Sequence, residues 1–289
     1  MRVLVTGGAG FTGRALLRAL AQRGDTVYAV HRPGGGQPEA LDGVEPVAQD
    51  LAAALGPGLP GALDAVVHLA QSSRYRDFPE GAADVFEVNA AATARLLDWA
   101  RTARAESFVY ASSGAVYAAG PEPAREEQVA ASPSNFYAAS KRCGELACEG
   151  FRGHLNAHVL RFFFIYGPGQ EAMFVPGILD RIRAGDEVSL AGERGIHVNP
   201  VYVDDAVAAI LGTLAAPESM TLNVGGPDVV SLRELADLAG TLLGRKPHYV
   251  VGDPRPDVLG SIERLREAGL EPRVPFAEGL ERTVVASSA

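Results

Sequence analysis

A glycine-rich turn near the N-terminus narrows the folds open to this chain more than any other feature. The residues Thr6-Gly7-Gly8-Ala9-Gly10-Phe11-Thr12-Gly13 follow an apolar run and precede a helical pattern. Such glycines permit a tight turn, let the backbone approach a pyrophosphate, and allow close packing of helix on strand, while the helix N-terminus stabilises negative charge. In this strand–turn–helix context the pattern predicts a dinucleotide-binding site formed by Gly7, Gly10, Phe11, Thr12 and Gly13.

The end of the second predicted strand bears on which dinucleotide is bound. An acidic side chain there would hold the ribose 2′-hydroxyl of NAD, whereas an arginine accommodates the 2′-phosphate of NADP. The chain reads Val30-His31-Arg32-Pro33-Gly34, without a carboxylate. We therefore expect His31 and Arg32 to contact the cofactor and NADP to be preferred, with NAD as the alternative. Arg32 as an ordinary exposed loop residue also stays open. Asp50 and Leu51, after the third predicted strand, are expected near the adenine.

Short apolar runs alternate with helical segments along the first half of the chain, which is typical of βαβ units and a parallel sheet. This predicts an α/β fold, a Rossmann-type doubly wound parallel sheet with a smaller C-terminal substrate lobe. Proline and glycine become dense after Ile165, so we expect two domains. Residues 1–165 plus about 199–225 would bind the dinucleotide, and about 166–198 plus 226–289 would bind substrate. The predicted strands are Arg2 to Thr6, Thr26 to Val30, Val44 to Val47, Ala65 to Leu69, Ser107 to Ala111, His158 to Phe164 and Leu222 to Val224. The predicted helices are Gly13 to Arg23, Phe86 to Arg104, Asn135 to Arg152 and Ser231 to Leu243.

Charge and composition exclude several classes of partner. The formal net charge of −9 argues against nucleic acid and anionic membrane surfaces, which both require basic patches. No run of 18 or more apolar residues exists, so we expect no membrane span and a cytoplasmic protein. Cys143 and Cys148 do not have a zinc-ligand spacing, and no metal site is expected.

Tyr137-Ala138-Ala139-Ser140-Lys141 carries the chemistry. Lys141 is one of only two lysines among 289 residues, and with eight tyrosines about 0.06 Tyr-x-x-x-Lys spacings are expected by chance. Residues four apart share a helix face, so an ammonium would lie beside the phenol. A nearby cation favours phenolate and is expected to lower the pKa of Tyr137, which would make it a proton-transfer group for an alcohol or ketone.

Several further segments, taken together with these, resemble the extended short-chain dehydrogenase/reductase family, which contains nucleotide-sugar epimerases, dehydratases and ketoreductases. The resemblance covers nearly the whole chain. It runs through Val66-Val67-His68-Leu69-Ala70, Asn89, Ser112 to Tyr117, Tyr137 to Lys141, Arg161 to Gly169, Val201 to Asp205 and Asn223 to Gly226. It implies that Tyr137 is the acid/base, that Lys141 binds the nicotinamide ribose and that Leu69 and Ala70 contact the cofactor.

The resemblance also implies a hydroxyl that hydrogen-bonds the substrate oxygen. Ser113 matches it, and Ser112 is the competing choice. A serine hydroxyl could stabilise a developing alkoxide during hydride transfer. Asn89 is expected to be structural or a helix cap, and His68 a structural histidine.

Three departures from the family pattern bear on the reaction and substrate. Gly114 and Ala115 follow the serines where dehydrating relatives carry an acid, which disfavours a 4,6-dehydratase. Phe164 replaces an asparagine that contacts the sugar nucleotide in relatives, and it could line an apolar pocket or pack in the core. The segment His197 to Pro200 lacks an Arg-Asp pair that reaches a diphosphate in relatives, which leaves Arg194 and Arg255 as candidate phosphate ligands. Arg255 is the better placed by resemblance, and either residue as an ordinary surface arginine also stays open.

We therefore expect an enzyme that transfers hydride at a secondary alcohol or ketone of a nucleotide sugar, a 4-epimerase or 4-ketoreductase. The alternatives are a reductase of a non-nucleotide ketone and a non-catalytic NADP-binding redox sensor. Family analogy implies a homodimer paired through the long helices that begin near Phe86 and Asn135.

Overall fold

Strand β1 (Arg2–Thr6) lies inside a seven-stranded sheet whose neighbouring strands run parallel. The structure is a computed structural model that describes residues 1–120 and 122–286. Across the sheet the strands are β3 (Val44–Ala48), β2 (Thr26–His31), β1, β4 (Ala65–His68), β5 (Ser107–Ser113), β6 (Asn156–Phe162) and β9 (Thr221–Val224). The chain first moves outward from β1 to β3 and then returns to the other side of β1. This is the doubly wound arrangement, and the predicted fold class is confirmed.

The reversal of strand order between β1 and β4 fixes where a ligand can approach the sheet. Thr6, the last residue of β1, lies opposite Val30 on one side and His68 on the other. In open α/β sheets the crevice outside the carboxyl ends of the strands at such a point is where ligands bind. The glycine turn that follows β1 therefore lies at the edge where sheets of this kind bind ligands.

The central strands read as continuous apolar runs because both of their faces are covered. All four residues of β4 are buried, and Leu4, Val66 and Phe108 have no exposed surface. These side chains join one apolar core with residues of the flanking helices such as Leu96. A strand buried on both faces cannot show the apolar/polar alternation of a half-exposed strand.

Helix α1 (Phe11–Gln22) follows the glycine turn. Helix α2 (Ala82–Phe86) continues through a π-helical turn (Glu87–Ala91) into α3 (Ala92–Thr102). Helix α4 (Phe136–Phe151) packs against α3 and β5. A Cβ atom at Gly144 would lie 2.3 Å from the Tyr110 hydroxyl oxygen, so only glycine allows this approach of α4 to β5.

The helix that was predicted to begin at Phe86 begins four residues earlier, at Ala82, because α2 continues without a break into the π-helical turn and α3.

Both ends of strand β6, close to the predicted substrate-binding residue Phe164, differ from the prediction. Strand β6 begins two residues earlier than predicted and ends at Phe162, so Phe164 lies outside it. Phe164 has φ of 46°, in the left-handed region that a bulky residue rarely adopts and that no regular strand contains. Phe162 and Phe163 are buried, which places both in the core.

The chain divides into two compact units. The first comprises Met1–Ala118, Ala130–Arg161 and Ile210–Leu222; the second comprises Ala119–Val129, Phe162–Ala209 and the residues from Asn223 onward. The segment Ala119–Val129 was expected in the first domain. It belongs to the second because Ala124 forms a bridge with Gly260 and its carbonyl accepts a hydrogen bond from Asn223 Nδ2. That the second unit binds substrate stays a prediction.

The second unit is built from short elements. Helix α6 (Val203–Leu214) begins there and ends in the first unit. The remaining elements are α5 (Phe174–Ala184), β7 (Glu187–Ala191), β8 (His197–Val198), β10 (Val230–Ser231), α7 (Leu232–Leu243), β11 (His248–Gly252), α8 (Glu263–Glu267) and α9 (Phe276–Ala286). Ser231 caps α7, and Glu234 completes a capping box with it.

No helix within residues 1–120 and 122–286 combines the length and the apolar character that crossing a bilayer requires.

Candidate active site

The glycine turn is shaped by contacts that exclude side chains. Gly10 N–H donates to the Gly7 carbonyl at 3.0 Å, and Gly7 has φ of 73°. A Cβ at Gly13 would lie 2.1 Å from Gly7 O, and one at Gly7 would lie 2.8 Å from Ala70 N. These positions therefore admit only glycine, and they let β1, α1 and the end of β4 approach closely.

The N-terminus of helix α1 has no side-chain cap and could therefore bind an anion. Gly10 occupies the N-cap in an extended conformation, and no side chain caps the first turn, which contains Phe11 and Thr12. Unsatisfied first-turn N–H groups and the helix dipole favour a phosphate here. Leu69 N–H donates to Thr6 O, and Ala70 N–H donates to Thr6 Oγ1, both at 3.2 Å. These predicted cofactor residues are thus brought to one edge.

The loop after β2 lies beside this turn. A Cβ built on Gly36 would lie 3.6 Å from Ala9 Cβ, and Gly35 N–H closes a turn on the Arg32 carbonyl at 2.9 Å. The side chain of Arg32 is exposed, and His31 is half-buried. Glu39, the first acidic residue after this strand, pairs with Arg18 at 2.7 Å. The loop therefore presents the guanidinium of Arg32, whereas the carboxylate of Glu39 forms an ion pair with Arg18.

The predicted adenine contacts follow β3. One carboxylate oxygen of Asp50 accepts the Ala52 N–H at 3.0 Å, forming a local turn. Leu51 is buried, and its carbonyl accepts from Arg95 Nη2 at 2.7 Å. Both residues are thereby held at the carboxyl end of β3, on the same side of the sheet as the glycine turn.

Tyr137 lies in the first turn of α4, whose N-cap Asn135 accepts the Ala138 N–H at 2.9 Å. The Tyr137 hydroxyl donates to Gln71 Oε1 at 3.2 Å, and the Ser113 side chain lies close enough to lower the pKa of the phenol. Tyr75 packs its ring against Tyr137 with 5.2 Å between ring centroids. The two hydroxyls predicted to act on substrate oxygen are therefore adjacent.

The expected lowering of the Tyr137 pKa does not occur in this structure. Desolvation raises the pKa of the half-buried Tyr137 to about 12, and the Ser113 side chain opposes this only in part. Lys141 Nζ lies 5.9 Å from the centre of the Tyr137 ring and donates instead to Ala111 O at 2.9 Å. Desolvation of the phenolate thus outweighs the cation.

Lys141 itself is 2% exposed. Burial lowers the pKa of Lys141 to about 8, while the charge of Glu145 acts in the opposite direction. The ammonium also lies 5.3 Å from the centre of the Tyr110 ring. An ammonium whose pKa lies this close to neutrality can change its charge within the range where enzymes work.

The two candidate serines have different surroundings. Ser113 is half-buried and caps a short 3-10 turn (Gly114–Val116), where its Oγ accepts the Ala115 N–H at 3.2 Å. Ser112 is buried, and its hydroxyl donates to Glu145 Oε1 at 2.5 Å. This placement favours Ser113 as the hydroxyl that could meet a substrate.

Asn89 and His68 belong to a buried hydrogen-bond chain behind this site. His68 Nδ1 pairs with Thr6 Oγ1 at 2.7 Å, and its Nε2 pairs with Thr93 Oγ1 at 3.1 Å. Asn89 lies in the π-helical turn, accepts the Ser72 N–H and donates to Ser140 Oγ. His68 is a satisfied structural histidine, as expected, and burial lowers its pKa to about 3. Asn89 links three segments and does not cap a helix.

Phe164 and Arg255 belong to the second unit. The Phe164 ring packs on Phe174 with 4.6 Å between ring centroids, and Arg255 is exposed. The structure describes no group of three or more His, Cys, Asp or Glu side chains that could hold a metal ion.

Sequence reasoning missed three residues of this site. Gln71 and Tyr75 lie in a loop, where no periodicity marks a residue that reaches Tyr137. Glu145 could have been found, because it follows Lys141 by four residues and therefore shares its helix face.

Comparison with known proteins shows which protein family the chain resembles. Residues 3–225 match the NAD dependent epimerase/dehydratase family. The chain is 30% identical over 309 residues to dTDP-4-dehydro-6-deoxy-D-allose reductase of Streptomyces bikiniensis, covering 97% of this chain and 94% of the relative. It is 31% identical over 319 residues to dTDP-glucose 4,6-dehydratase of Streptomyces niveus, covering 98% and 92%.

A solved structure is similar in fold and sequence. UDP-glucose 4-epimerase of Thermus thermophilus, in complex with NAD, superposes with a TM-score of 0.86 at 30% identity, covering 100% of this chain and 99% of that one. The matched proteins carry out three different reactions, so the likeness defines the family and not the reaction. The chain is a member of the NAD dependent epimerase/dehydratase family.

Proposed function

We propose that the protein is an NAD(P)-dependent 4-epimerase or 4-ketoreductase of a nucleotide sugar. The observation that carries the proposal is the grouping of Ser113, Tyr137 and Lys141 in one unit. The Ser113 side chain lies close enough to the phenol to lower the pKa of Tyr137, and the buried ammonium lies one helical turn from the phenol. The relatives named above, a ketoreductase and an epimerase among them, support the same reaction class.

The residues of the first unit fit a dinucleotide. Side chains are excluded at Gly7 and Gly13, and the first turn of α1 is left uncapped, so a pyrophosphate can approach the backbone. Asp50 and Leu51 would flank the adenine, and Lys141 would hold the nicotinamide ribose. When bound, the nicotinamide supplies hydride acceptance and donation.

Tyr137 moves the proton in this proposal. Its hydroxyl donates a hydrogen bond to Gln71 Oε1 in the structure, which orients the phenolic proton before substrate arrives. Ser113 donates to the substrate oxygen and stabilises the charge that develops on it. Lys141 supplies the positive charge that offsets the cost of forming phenolate in a buried site.

Dehydration is disfavoured by the turn after Ser113. A dehydratase needs an additional acid and base to eliminate water. Gly114 and Ala115 occupy the turn, and neither can exchange a proton through its side chain. Simple hydride transfer at a carbinol carbon requires no such group.

Arg32 supports a preference for NADP over NAD. It is exposed at the end of β2, in a loop that lies beside the glycine turn. An arginine can form paired charge-assisted hydrogen bonds with a 2′-phosphate, worth about 1.5–3 kcal/mol. We expect Arg32→Ala to weaken NADP(H) binding about 10- to 100-fold and NAD(H) binding little, measured by fluorescence titration of the reduced cofactors. Equal losses for both cofactors would remove the preference.

The substrate assignment has one rival with a specific observation in its favour. Phe164 and Phe174 form an apolar pair at the position where relatives carry an asparagine that contacts the sugar nucleotide, which suits a non-nucleotide ketone. Arg255, exposed in the same unit, favours a phosphorylated substrate instead.

A homodimer is proposed by family analogy. The exposure of Leu146 on α4 supports it, and light scattering tests it. A cytoplasmic location stays a prediction.

The central test is Tyr137→Phe. The protein is assayed with NADP(H) and NAD(H) against UDP- and dTDP-hexoses, their 4-keto forms and simple ketones. The variant should lose about 10²- to 10⁴-fold in kcat while retaining cofactor binding. Tyr249→Phe is the matched control, because its hydroxyl bonds Asp237 in the second unit. Full turnover by Tyr137→Phe would refute the assignment of Tyr137 as acid/base.

A further inference from the structure

Glu145 is a carboxylate with no exposed surface, and four hydrogen bonds hold it. Its Oε1 accepts from Ser112 Oγ at 2.5 Å and from Arg161 Nε at 2.8 Å. Its Oε2 accepts from Arg161 Nη2 at 2.8 Å and from Arg142 Nη1 at 3.0 Å. A buried charge is tolerated only when paired and hydrogen-bonded in this way. Such a site costs free energy to build, so its position calls for an explanation.

The carboxylate joins α4 to the end of β5. Lys141 donates to the carbonyl of Ala111, and one turn later Glu145 accepts from the hydroxyl of Ser112. Two successive residues of β5 are thus tied to two successive turns of α4. Ser113 is the next residue of the strand, and Tyr137 lies one turn before Lys141. These two ties therefore set the position of the Ser113 hydroxyl relative to the phenol.

Glu145 is also the group that favours a charged Lys141. The titratable side chains around this ammonium are His68 on β4, Tyr110 on β5, and Tyr137 and Glu145 on α4. Burial lowers the pKa of His68 to about 3 and raises the pKa of Tyr110, so both are neutral at working pH. Cys148, further along α4, is buried and its thiol pKa is raised as well. Glu145 remains as the negative charge that acts on Lys141.

We propose that Glu145 is a positioning residue for the Ser113–Tyr137–Lys141 site, locking the end of β5 onto α4 and holding Lys141 as an ammonium. The catalytic consequence rests on the proposed function; the effect on the charge of Lys141 does not. A residue that served only to join β5, β6 and α4 would alter stability and leave the titration of Lys141 unchanged.

The small number of lysines makes a direct measurement possible. Lys141 and Lys246 are the two lysines of the chain. In a Lys246→Arg background, lysine labelled with ¹³C at Cε gives one side-chain resonance, whose shift reports the titration of Lys141. Removing the charge by Glu145→Gln should lower the midpoint, from about 8, by about one pH unit. Ser112→Ala, which keeps the carboxylate, is the control and should leave the midpoint where it is.

Glu145→Gln leaves Arg161 without its partner and could prevent folding, so a second variant is needed. Glu145→Leu combined with Arg161→Met removes the whole pair, which is often tolerated when both partners are replaced by apolar residues. It should also lower the Lys141 midpoint, by less than Glu145→Gln does, because the Arg161 cation is lost together with the carboxylate. A midpoint that stays within about 0.2 pH unit of the wild type in a folded variant of either kind would overturn the electrostatic role.

Activity provides the second readout. In each variant the alkaline limb of the kcat/KM profile should move to lower pH together with the NMR midpoint, while Ser112→Ala should lower kcat without moving the limb. A limb that does not follow the midpoint overturns the catalytic part of the proposal. If the wild-type protein is inactive on every substrate assayed, the proposed function is wrong. The titration of Lys141 then still tests whether Glu145 keeps Lys141 in its charged form.

Discussion

Replacing Lys141 by methionine should stabilise the protein at neutral pH and remove its activity. Lys141 is 2% exposed, and its Nζ has one hydrogen bond, to Ala111 O. Methionine fills a similar volume without a charge to desolvate. The site therefore keeps an ammonium at the expense of folding free energy, which is expected where charge serves a reaction.

The magnitude follows from the pKa of the buried ammonium. Burial lowers the pKa of Lys141 from 10.5 to about 8, and that difference corresponds to about 3 kcal/mol of destabilisation. Because the folded-state pKa is below the unfolded value, the destabilisation is fully present below about pH 8 and fades as pH rises toward 10.5. It should be about 3 kcal/mol at pH 7 and about 1 kcal/mol at pH 9.5.

The measurement is urea unfolding of wild type and Lys141→Met at both pH values. The lost hydrogen bond to Ala111 reduces the absolute gain, but it contributes similarly at both. The gain in unfolding free energy should therefore be larger at pH 7 than at pH 9.5 by about 2 kcal/mol. Lys246→Met, at an exposed lysine, should change stability by less than about 0.5 kcal/mol at both.

Two results would refute this reasoning. A gain that does not change with pH would show that Lys141 carries no desolvation cost. A variant that is less stable than wild type at pH 7, and equally so at pH 9.5, would show that the contacts of Nζ outweigh burial.

Further substitutions test other parts of the site. Ser113→Ala should lower kcat about 10²-fold with little change in KM, as steady-state kinetics would show, because it removes a hydroxyl that stabilises developing charge; an unchanged kcat would return the role to another donor. Gln71→Leu removes a hydrogen-bond acceptor that favours the protonated phenol, so the limb of the kcat profile that reports Tyr137 should move to lower pH while cofactor binding, measured by fluorescence, is retained. Gly13→Ala places a Cβ 2.1 Å from Gly7 O, so dinucleotide affinity should fall more than tenfold in calorimetric titration; affinity equal to wild type would mean that the turn can shift.

Some strands and helices could be predicted closely because each has a local cause. Strand β1 matches its predicted bounds, and α7 carries the capping box that Ser231 and Glu234 indicate. The end of β6 could not be predicted, because the run of three phenylalanines looks equally apolar along its length. Only the left-handed backbone at Phe164 ends the strand there.

The chemistry of the site was predictable to the level of residue types and no further. Tyr137 and Lys141 share a helix face by spacing, and the glycine turn needs no distant partner to be found. The choice between Ser112 and Ser113 required the tertiary structure, since it depends on Glu145, 33 residues away from Ser112. Gln71 likewise reaches Tyr137 across a separation of 66 residues.

The amino-acid pattern alone was enough to predict the doubly wound fold, the glycine turn after β1 and the placement of Tyr137 and Lys141 as a pair on one helix face, because each depends on spacing within one element or between neighbouring elements. Only the tertiary structure decided the charge states of that pair. Burial raises the pKa of Tyr137 and lowers that of Lys141, opposite to the effect expected for two groups in water. Desolvation depends on everything packed around a group, and no local pattern in the chain contains that information.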